Sequence, residues 1–236
     1  MTDQERIADF LLKDVTRAIG EFRLIEDGDR VATAISGGRD SRSMLDLLLR
    51  HRRHVPYPYE ILALHVVATE AGLPDLRPEL RPWLRERGVE SHFVPIDLPP
   101  GEPLPLDCFR CSWNRRKALF TATADLGCHK LALGHHADDA AVTALMNLLF
   151  HGNLKTMEPR LAFFQGAVTV IRPLIYLPQK HLLRYAKAAG YPDRPACPQG
   201  QQSQRAEIDR FLSQFGRRRD HIRTNLWRAA REAMVF

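Results

Sequence analysis

The chain has 236 residues, 44% of them hydrophobic and 26% charged, with a formal net charge of +6. It is long enough to bury one sizeable core, and no stretch approaches the ~18 unbroken apolar residues of a membrane span. The first residues are polar and acidic, unlike a secretory signal, so we expect a cytoplasmic protein with no membrane partner. The basic balance is compatible with a polyanionic partner but does not identify one.

Helix and strand patterns alternate along the chain. Apolar periodicity predicts a first helix over residues 4–23, and a short β-branched run predicts a first strand that ends at Ile35. The further predicted elements are strand 61–67, helix 76–87, strand 92–96, helix 109–126, strand 130–134, helix 137–149, strand 168–174, helix 178–189 and one or two basic helices after them. This alternation favours an α/β fold with a doubly wound, parallel five-stranded sheet and additional N- and C-terminal helices.

A glycine-rich turn follows the first predicted strand and precedes a helical pattern. Its sequence is Ser36-Gly37-Gly38-Arg39-Asp40-Ser41. Paired glycines let backbone N–H groups approach a phosphate, and a helix N-terminus adds unpaired donors and a positive dipole end. The serine hydroxyls can donate as well, and Asp40 could hold a metal ion. The turn therefore predicts a phosphate site, the alternative being an ordinary strand-to-helix turn.

A second dense group of polar residues lies where the fourth strand becomes a helix. Its sequence is Gly134-His135-His136-Ala137-Asp138-Asp139. One aspartate there can cap the helix, whereas a second is better explained by Mg²⁺ and phosphate. Zinc at the histidines is disfavoured, because adjacent side chains rarely converge on one ion. Ligands of parallel sheets lie beyond the carboxyl ends of the strands, so we expect both motifs to meet there.

The four cysteines divide into a pair, a distant third and a core residue. Cys108 and Cys111 have helical i, i+3 spacing and share one face if a helix begins there. Cys197 follows the last predicted sheet helix, whereas Cys128 precedes a buried strand and is interpreted as a core residue. A lone C-x-x-C is compatible with zinc, a redox pair or chance. Three thiolates would leave one position of a metal cluster open.

Together these motifs resemble those of the PP-loop ATP pyrophosphatases, and in particular the tRNA 2-thiocytidine synthetase group. The resemblance runs from about Asp29 to Gln204 and includes the segment 148–159 and Val170-Ile171-Arg172-Pro173-Leu174. This chain differs from the usual pattern in three ways. It has Arg39 where relatives often have lysine, Val142 in place of a polar residue, and one cysteine, Cys197, where many relatives have a second C-x-x-C.

The resemblance implies a nucleotide site and a cluster site. Its ATP contacts would be Ser36, Gly37, Gly38, Arg39, Asp40, Ser41, Gly134 and His135, and position alone adds His65 and Val66 for the adenine. Mg²⁺ would be bound by Asp40 together with Asp138 or Asp139. A [4Fe–4S] cluster would be held by Cys108, Cys111 and Cys197, with its fourth iron free to bind sulfide. These three aspartates and three cysteines are the expected catalytic residues.

The same resemblance implies ATP-dependent thiolation of tRNA. ATP would adenylate the C2 oxygen of a pyrimidine, with cytidine expected, and sulfur would then displace AMP. A cysteine desulfurase or sulfide would donate the sulfur, and a homodimer is expected. The predicted RNA contacts are Arg115, Arg116, Lys117, Arg217, Arg218, Arg219 and Arg223. For Phe109 and the tryptophans at 83, 113 and 227, core packing is favoured over base stacking.

Two alternative functions stay open at this stage. The first is adenylation of another tRNA base or a small molecule, with zinc or a persulfide at the cysteines. The second is a nucleotide-binding module without catalysis, which the residues at 39 and 142 suggest. The expected domains are an N-terminal helical extension (1–26), a PP-loop ATP-binding domain that carries the cysteines (27–200) and a basic C-terminal helical segment (201–236).

Overall fold

The strand order of the central sheet places the ends of two particular strands beside each other. The computed structural model describes residues 2–99, 101–104, 106–192 and 203–233. Within these ranges the sheet has six strands in the order β3-β2-β1-β4-β6-β5. They are β1 (Arg30–Ala34), β2 (Glu60–Val67), β3 (Glu90–Pro95), β4 (Lys130–Ala132), β5 (Arg160–Phe163) and β6 (Val168–Ile171). The chain builds outward from β1 in one direction and then from β4 in the other, so a crevice opens between these two strands.

Helices occupy the connections and both ends of the described chain. They are α1 (Asp3–Glu21), α2 (Arg39–Arg52), α3 (Arg77–Glu86), α4 (Cys108–Asp125), α5 (Ala137–His151), α6 (Gln179–Ala188), α7 (Gln204–Ser213) and α8 (Arg219–Ala233). The α/β class is confirmed, and the predicted helices begin and end within about two residues of these bounds. None of the helices in the described ranges has the length and apolar character needed to cross a bilayer.

The prediction of five strands is wrong by one edge strand. β5 pairs antiparallel with β6, whereas the other strand pairs are parallel. Residues 164–167 connect β5 and β6, and Phe164, Gln165 and Gly166 have φ values of +52°, +56° and +94°. Gly166 is a turn signal, but the four residues of β5 are too few to show a clear strand pattern in the sequence.

The main core lies between the sheet and helices at both ends of the chain. Helix α1 contributes Leu11, Val15 and Ile19 to the same buried cluster as Leu45 and Leu48 of α2. On another side, α5 packs against the C-terminal helices through a separate cluster that contains Val142, Leu145, Ile208 and Leu212. The residue at 142 that departs from the expected polar pattern thus supports α7.

Candidate active site

The turn between β1 and α2 is held open for a ligand by its own hydrogen bonds. Gly37 has φ +85°, a conformation that favours glycine. The Ser36 hydroxyl lies 3.1 Å from the Ser41 hydroxyl and accepts from the Gly38 N–H at 3.3 Å, while Ser41 Oγ donates to the Gly38 carbonyl at 2.9 Å. Both predicted serines therefore shape the turn before any ligand binds.

A buried arginine that sequence reasoning missed supports this turn from below. Arg42 Nε donates to the Gly37 carbonyl at 3.1 Å, and the guanidinium forms an ion pair with Glu79. The same guanidinium stacks 4.7 Å from the ring centre of Trp83. Because Arg42 is only 2% exposed, its role is to fix the loop and not to meet a ligand. Nothing in the motif distinguished it from an ordinary helical arginine.

The second motif packs directly on the first. A Cβ atom at Gly134 would lie 3.2 Å from the backbone N of Ser41 and 3.3 Å from the carbonyl carbon of Asp40. Only glycine allows this approach without displacing backbone. The two motifs, 93 residues apart between Ser41 and Gly134, thus form one wall, as the sequence predicted from their positions at strand ends.

A cavity of about 500 Å³ lies above this wall at the ends of β1, β2 and β4. That volume is in the range of small-molecule sites. Its polar lining consists of Ser36, Asp40, Ser41, His65, Arg115, Gly134 (backbone), His135, Asp139 and Arg205. Its apolar lining consists of Ala34, Ile35, Leu64, Val66, Leu119 and Leu133. The structure therefore brings together most of the predicted ATP contacts, while Gly37, Gly38 and Arg39 lie in the turn but not on the cavity wall.

Asp40 is the acid in this cavity whose environment most favours a bound cation. Burial raises its pKa, although His136 and Arg39 oppose the change and Asp139 adds to it. Its buried Oδ1 has no hydrogen-bond partner in the described part of the chain. A desolvated carboxylate oxygen without a donor is a suitable ligand for a hard divalent ion.

Asp139 shares the cavity with Asp40 and is already oriented. Its Oδ2 accepts the His136 backbone N–H at 2.9 Å, and its Oδ1 contacts the Arg205 guanidinium of α7. Both Asp139 and Arg205 line the cavity. Arg205 was not predicted, because it belongs to no motif and lies 66 residues beyond Asp139.

Asp138 points away from the cavity, which corrects one prediction. Its Oδ2 accepts the Gln179 backbone N–H at 2.7 Å, and its Oδ1 accepts from Arg223 at 2.8 Å. Arg223 also pairs with Asp209 at 2.6 Å and is 7% exposed. Both Asp138 oxygens are thus used to join α5, α6 and α8, so Asp138 is not placed to bind Mg²⁺. Arg223 has its charge buried and paired in this structure, unlike the exposed arginines with which it was predicted to contact RNA phosphate.

Two histidines, His135 and His65, also line the cavity. Burial lowers the pKa of His135 to about 4, so the ring is neutral at pH 7. Its buried Nδ1 has no partner within the described ranges. His65 Nδ1 lies 2.7 Å from the Ile35 carbonyl, which orients its ring at the cavity edge. Burial lowers the pKa of a further arginine, Arg172, to about 10, and the negative charge of Asp139 opposes that change.

The paired cysteines lie on the first turn of α4. Asp107 caps this helix by accepting the Arg110 backbone N–H at 2.7 Å, which fixes where the turn begins. Cys108 is exposed, Cys111 is half-buried, and both are free thiols. With Arg115 they have i, i+3, i+7 spacing, which places all three on one helix face. Arg115 lines the cavity, and Cys111 packs against the same apolar cluster as Val66.

The third predicted thiol, Cys197, lies outside the described residues. Within the described ranges no group of three potential metal ligands occurs. Cys128 is buried at 1% exposure, and burial raises the pKa of its thiol, which confirms it as a core residue.

Comparison with known proteins decides the family. No family model matches the chain. The tRNA-cytidine(32) 2-sulfurtransferase of Syntrophotalea carbinolica is 37% identical over 94% of this chain and 88% of its own length. The protein of the same name from Bordetella pertussis is 35% identical over 95% of this chain and 72% of its own length. The chain belongs to the tRNA-cytidine(32) 2-sulfurtransferase family.

A solved structure shows how far this sulfurtransferase-family fold is shared. The U34-tRNA thiolase NcsA from Methanococcus maripaludis, with its [4Fe–4S] cluster, superimposes with a TM-score of 0.77. The alignment covers 97% of this chain and 80% of NcsA at 22% identity, and at that identity it establishes a common fold. The resemblance noted from the motifs is thus confirmed at the level of family and fold.

The predicted RNA contacts of this family member occupy different environments. Arg116, Lys117 and residues 217–219 are exposed, whereas Arg115 is half-buried on the cavity wall. Lys117 pairs with Asp97 at 3.1 Å. We therefore assign Arg115 to the cavity and keep the exposed cations as candidates for phosphate.

Core packing was the favoured interpretation for four aromatic residues, and it is wrong for two of them. Trp227 is buried at 7% exposure, and Trp83 packs partly buried against the main core. Phe109 and Trp113, in contrast, are 70% and 52% exposed on α4. The helical periodicity of α4 was correctly predicted, but the sequence did not show which of its faces lacked a partner.

Proposed function

We propose that this chain is an ATP-dependent tRNA sulfurtransferase that replaces the C2 oxygen of a cytidine with sulfur. The observation that carries the proposal is one cavity bordered by the glycine turn, by Asp40 and Asp139, and by the α4 face that presents two free thiols. Family membership supports the substrate, since the relatives are named tRNA-cytidine(32) 2-sulfurtransferases.

ATP fits the cavity in one orientation. The apolar wall from the ends of β1 and β2, with Leu64 and Val66, suits the adenine. The N-terminus of α2 and the Ser36 and Ser41 hydroxyls, which line the cavity, suit the phosphates. Asp40 and Asp139 would hold Mg²⁺, because one is desolvated without a donor and the other faces the same space.

Two displacements account for the chemistry. In the first, the cytidine C2 oxygen attacks the α-phosphorus of ATP and pyrophosphate leaves. In the second, sulfur attacks C2 and AMP leaves with the former C2 oxygen, so the oxygen is exchanged for sulfur. Arg115 and Arg205 are placed to stabilise the charge that develops on the phosphates. Arg205 contacts Asp139, a proposed Mg²⁺ ligand, so with the metal bound its guanidinium would be available to the phosphates.

The thiols of α4 fit an iron–sulfur cluster. They form no disulfide, lie about one helical turn apart, and share a helix face with Arg115, which lines the cavity. We assign Cys108 and Cys111 as two ligands and Cys197 as the third. When bound, a [4Fe–4S] cluster with three cysteine ligands supplies one iron at which sulfide can be held. Sulfide would supply the sulfur directly, whereas the persulfide of a cysteine desulfurase would need two electrons from a thiol reductant to reach the same oxidation level. We place the reaction in the cytoplasm with a homodimer as the expected assembly.

The proposal is tested with anaerobically purified protein. We expect about four iron atoms per chain and 2-thiocytidine in tRNA after incubation with ATP, Mg²⁺ and sulfide, detected by nucleoside mass spectrometry. Cys108→Ser should lose iron and thiolation, whereas Cys128→Ala serves as the matched control because that thiol is in the core. Iron-free, correctly folded protein from anaerobic cells, or tRNA without 2-thiocytidine, would contradict the proposal.

A further inference from the structure

Helix α4 presents an aromatic stripe to solvent on a different face from its thiols. Phe109 and Trp113 are 70% and 52% exposed and have i, i+4 spacing, so their rings are neighbours on the helix surface. Arg116 follows at i+7 on the same stripe and is exposed. Exposed large aromatics next to each other are costly in water and indicate a binding surface.

The stripe lies on a different face of α4 from the cysteines that the proposed function uses. At about 100° per residue, Phe109 and Trp113 lie about 100° and 140° around the helix axis from Cys108, and Cys111 and Arg115 lie on the other side of Cys108. The two aromatic residues are separated by a rise of about 6 Å along the helix axis. An RNA whose target base reached the thiol face, where Arg115 lines the cavity, would have to run around the side of α4 for its neighbouring nucleotides to meet the stripe.

The chemistry of the substrate defines what should lie there. The C2 oxygen of cytidine is an acceptor in its base pair, so a paired cytidine cannot present C2 to an attacking group. The target must be unpaired and drawn out of its stack, which costs a few kcal/mol. Aromatic side chains that stack on the neighbouring bases recover about 1–3 kcal/mol per base.

We infer that Phe109 and Trp113 form a stacking platform for unpaired RNA nucleobases next to the target cytidine, with Arg116 on the adjoining phosphate. The inference rests on the proposed function, which it deepens by assigning where the RNA is held. It assigns a binding role to two residues that the adenylation chemistry does not use.

Charge favours RNA over a protein as the occupant of this stripe. Of the four cations on α4, Arg110 pairs with Glu102, Lys117 pairs with Asp97, and Arg115 lines the cavity. Arg116 is the exposed cation of the helix without an ion-pair partner in the described part of the chain, and it lies on the same face as the two rings. A cationic side chain beside two exposed rings is the combination with which proteins hold single-stranded nucleic acid.

The first test measures tRNA affinity at several salt concentrations. Trp113→Ala and Phe109→Ala should each weaken binding by about 5- to 100-fold without changing the salt dependence, whereas Trp113→Phe should bind nearly as wild type. Arg116→Gln should instead reduce the salt slope by about one. Phe215→Ala, which removes an exposed aromatic at the end of α7, is the matched control and should have no effect. Wild-type affinity in both alanine variants, with circular dichroism showing native folds, would overturn the inference.

The second test identifies the bases that stack. Abasic nucleotides on either side of the target cytidine should weaken binding to wild-type protein but not to Trp113→Ala. Equal losses in both proteins would contradict stacking at this residue.

The alternative occupant of the stripe is a protein that delivers sulfur. If the alanine variants bind tRNA normally and thiolate it with sulfide but not with a desulfurase, the stripe docks a protein and the inference is wrong. Failure of the proposed function would give a different result. The wild-type protein itself would then form no 2-thiocytidine, whether or not Phe109 and Trp113 bind RNA.

Discussion

At the scale of single residues, two adjacent aspartates of one motif have different roles. Successive helical residues point about 100° apart, so Asp139 faces the cavity while Asp138 faces α6 and α8. The sequence predicted that this motif lies at the nucleotide site, but it did not distinguish between the two acids. That distinction depends on Gln179 and Arg223, which approach Asp138 from elements far along the chain.

Asp40 should show opposite effects on stability and activity. Its pKa is raised by burial, so the folded state disfavours the ionised form, and stability is lost as pH rises through the unfolded and folded pKa values. Asp40→Asn should therefore raise the melting temperature at pH 7, with no gain at pH values below the ordinary pKa of an aspartate. The same change should lower AMP formation by on the order of 100-fold. Asp27→Asn, at an exposed acid, should change neither, and a destabilised Asp40→Asn protein at pH 7 would refute this reasoning.

Arg205 should act on the reaction more than on ATP binding. Arg205 contacts Asp139 and lines the cavity, so in the proposed site a metal ion held by Asp139 would leave the guanidinium available to the phosphates. Arg205→Gln should reduce kcat by about 10- to 100-fold with a smaller change in the KM for ATP. Arg210→Gln on the same helix is the control, since its Nε contacts only the Ala206 carbonyl among the described groups. An unchanged kcat would show that Arg205 only holds the Asp139 side chain in place and has no role in the reaction.

At the scale of elements, the C-terminal helices are tied to the nucleotide motif. Asp138 and Asp139 begin α5, and each is bound by an arginine from beyond residue 202. Apolar contacts of Val142 and Leu145 with Ile208 and Leu212 complete the same interface. The sequence predicted basic helices here but attributed their arginines to RNA, because paired and free arginines look alike in a sequence. β5 was missed for a related reason, since a four-residue edge strand with an unusual turn carries little pattern.

Removal of the Arg223 side chain should destabilise this interface. Arg223→Met leaves Asp138, 9% exposed, without its cation, and the cost of an unpaired buried charge is about 3–5 kcal/mol. The double variant Arg223→Met/Asp138→Asn should recover much of that loss, because no buried charge remains. Urea unfolding followed by circular dichroism measures both. If Arg223→Met were as stable as wild type, the inference that the buried Arg223–Asp138 ion pair stabilises this interface would be wrong.

At the scale of the whole molecule, the fold should lose stability in acid before most carboxylates titrate. Burial lowers the pKa of His51 to about 4, and its Nδ1 lies 2.9 Å from Tyr59 Oη, which itself donates to the Leu48 carbonyl. The ring is therefore neutral in the fold, and stability present above pH 6.5 is lost as pH falls toward 4. The difference between the two pKa values is worth about 3 kcal/mol. His51→Gln should reduce the pH dependence of the unfolding free energy between pH 4 and 6.5 by about half, because His135 has its pKa lowered in the same way. Exposed His151→Gln is the control. An unchanged slope would show that His51 is not the titrating group.

The α/β architecture and the meeting of two distant motifs could be predicted, because strand ends, glycine turns and helix starts are local patterns. The support by Arg42, the entry of Arg205 into the cavity and the exposure of the α4 aromatics could not, because each depends on which elements pack together. The proposed single active site, which would join nucleotide, thiols and RNA, thus depends on how the elements of the chain pack together.

The most direct test of that single site is the ratio of products in one turnover. Cluster-loaded protein in excess over tRNA, with ATP, Mg²⁺ and sulfide, should yield AMP, pyrophosphate and 2-thiocytidine in a ratio of one to one to one. Release of ADP and phosphate, or AMP formation that continues unchanged without tRNA, would contradict the account.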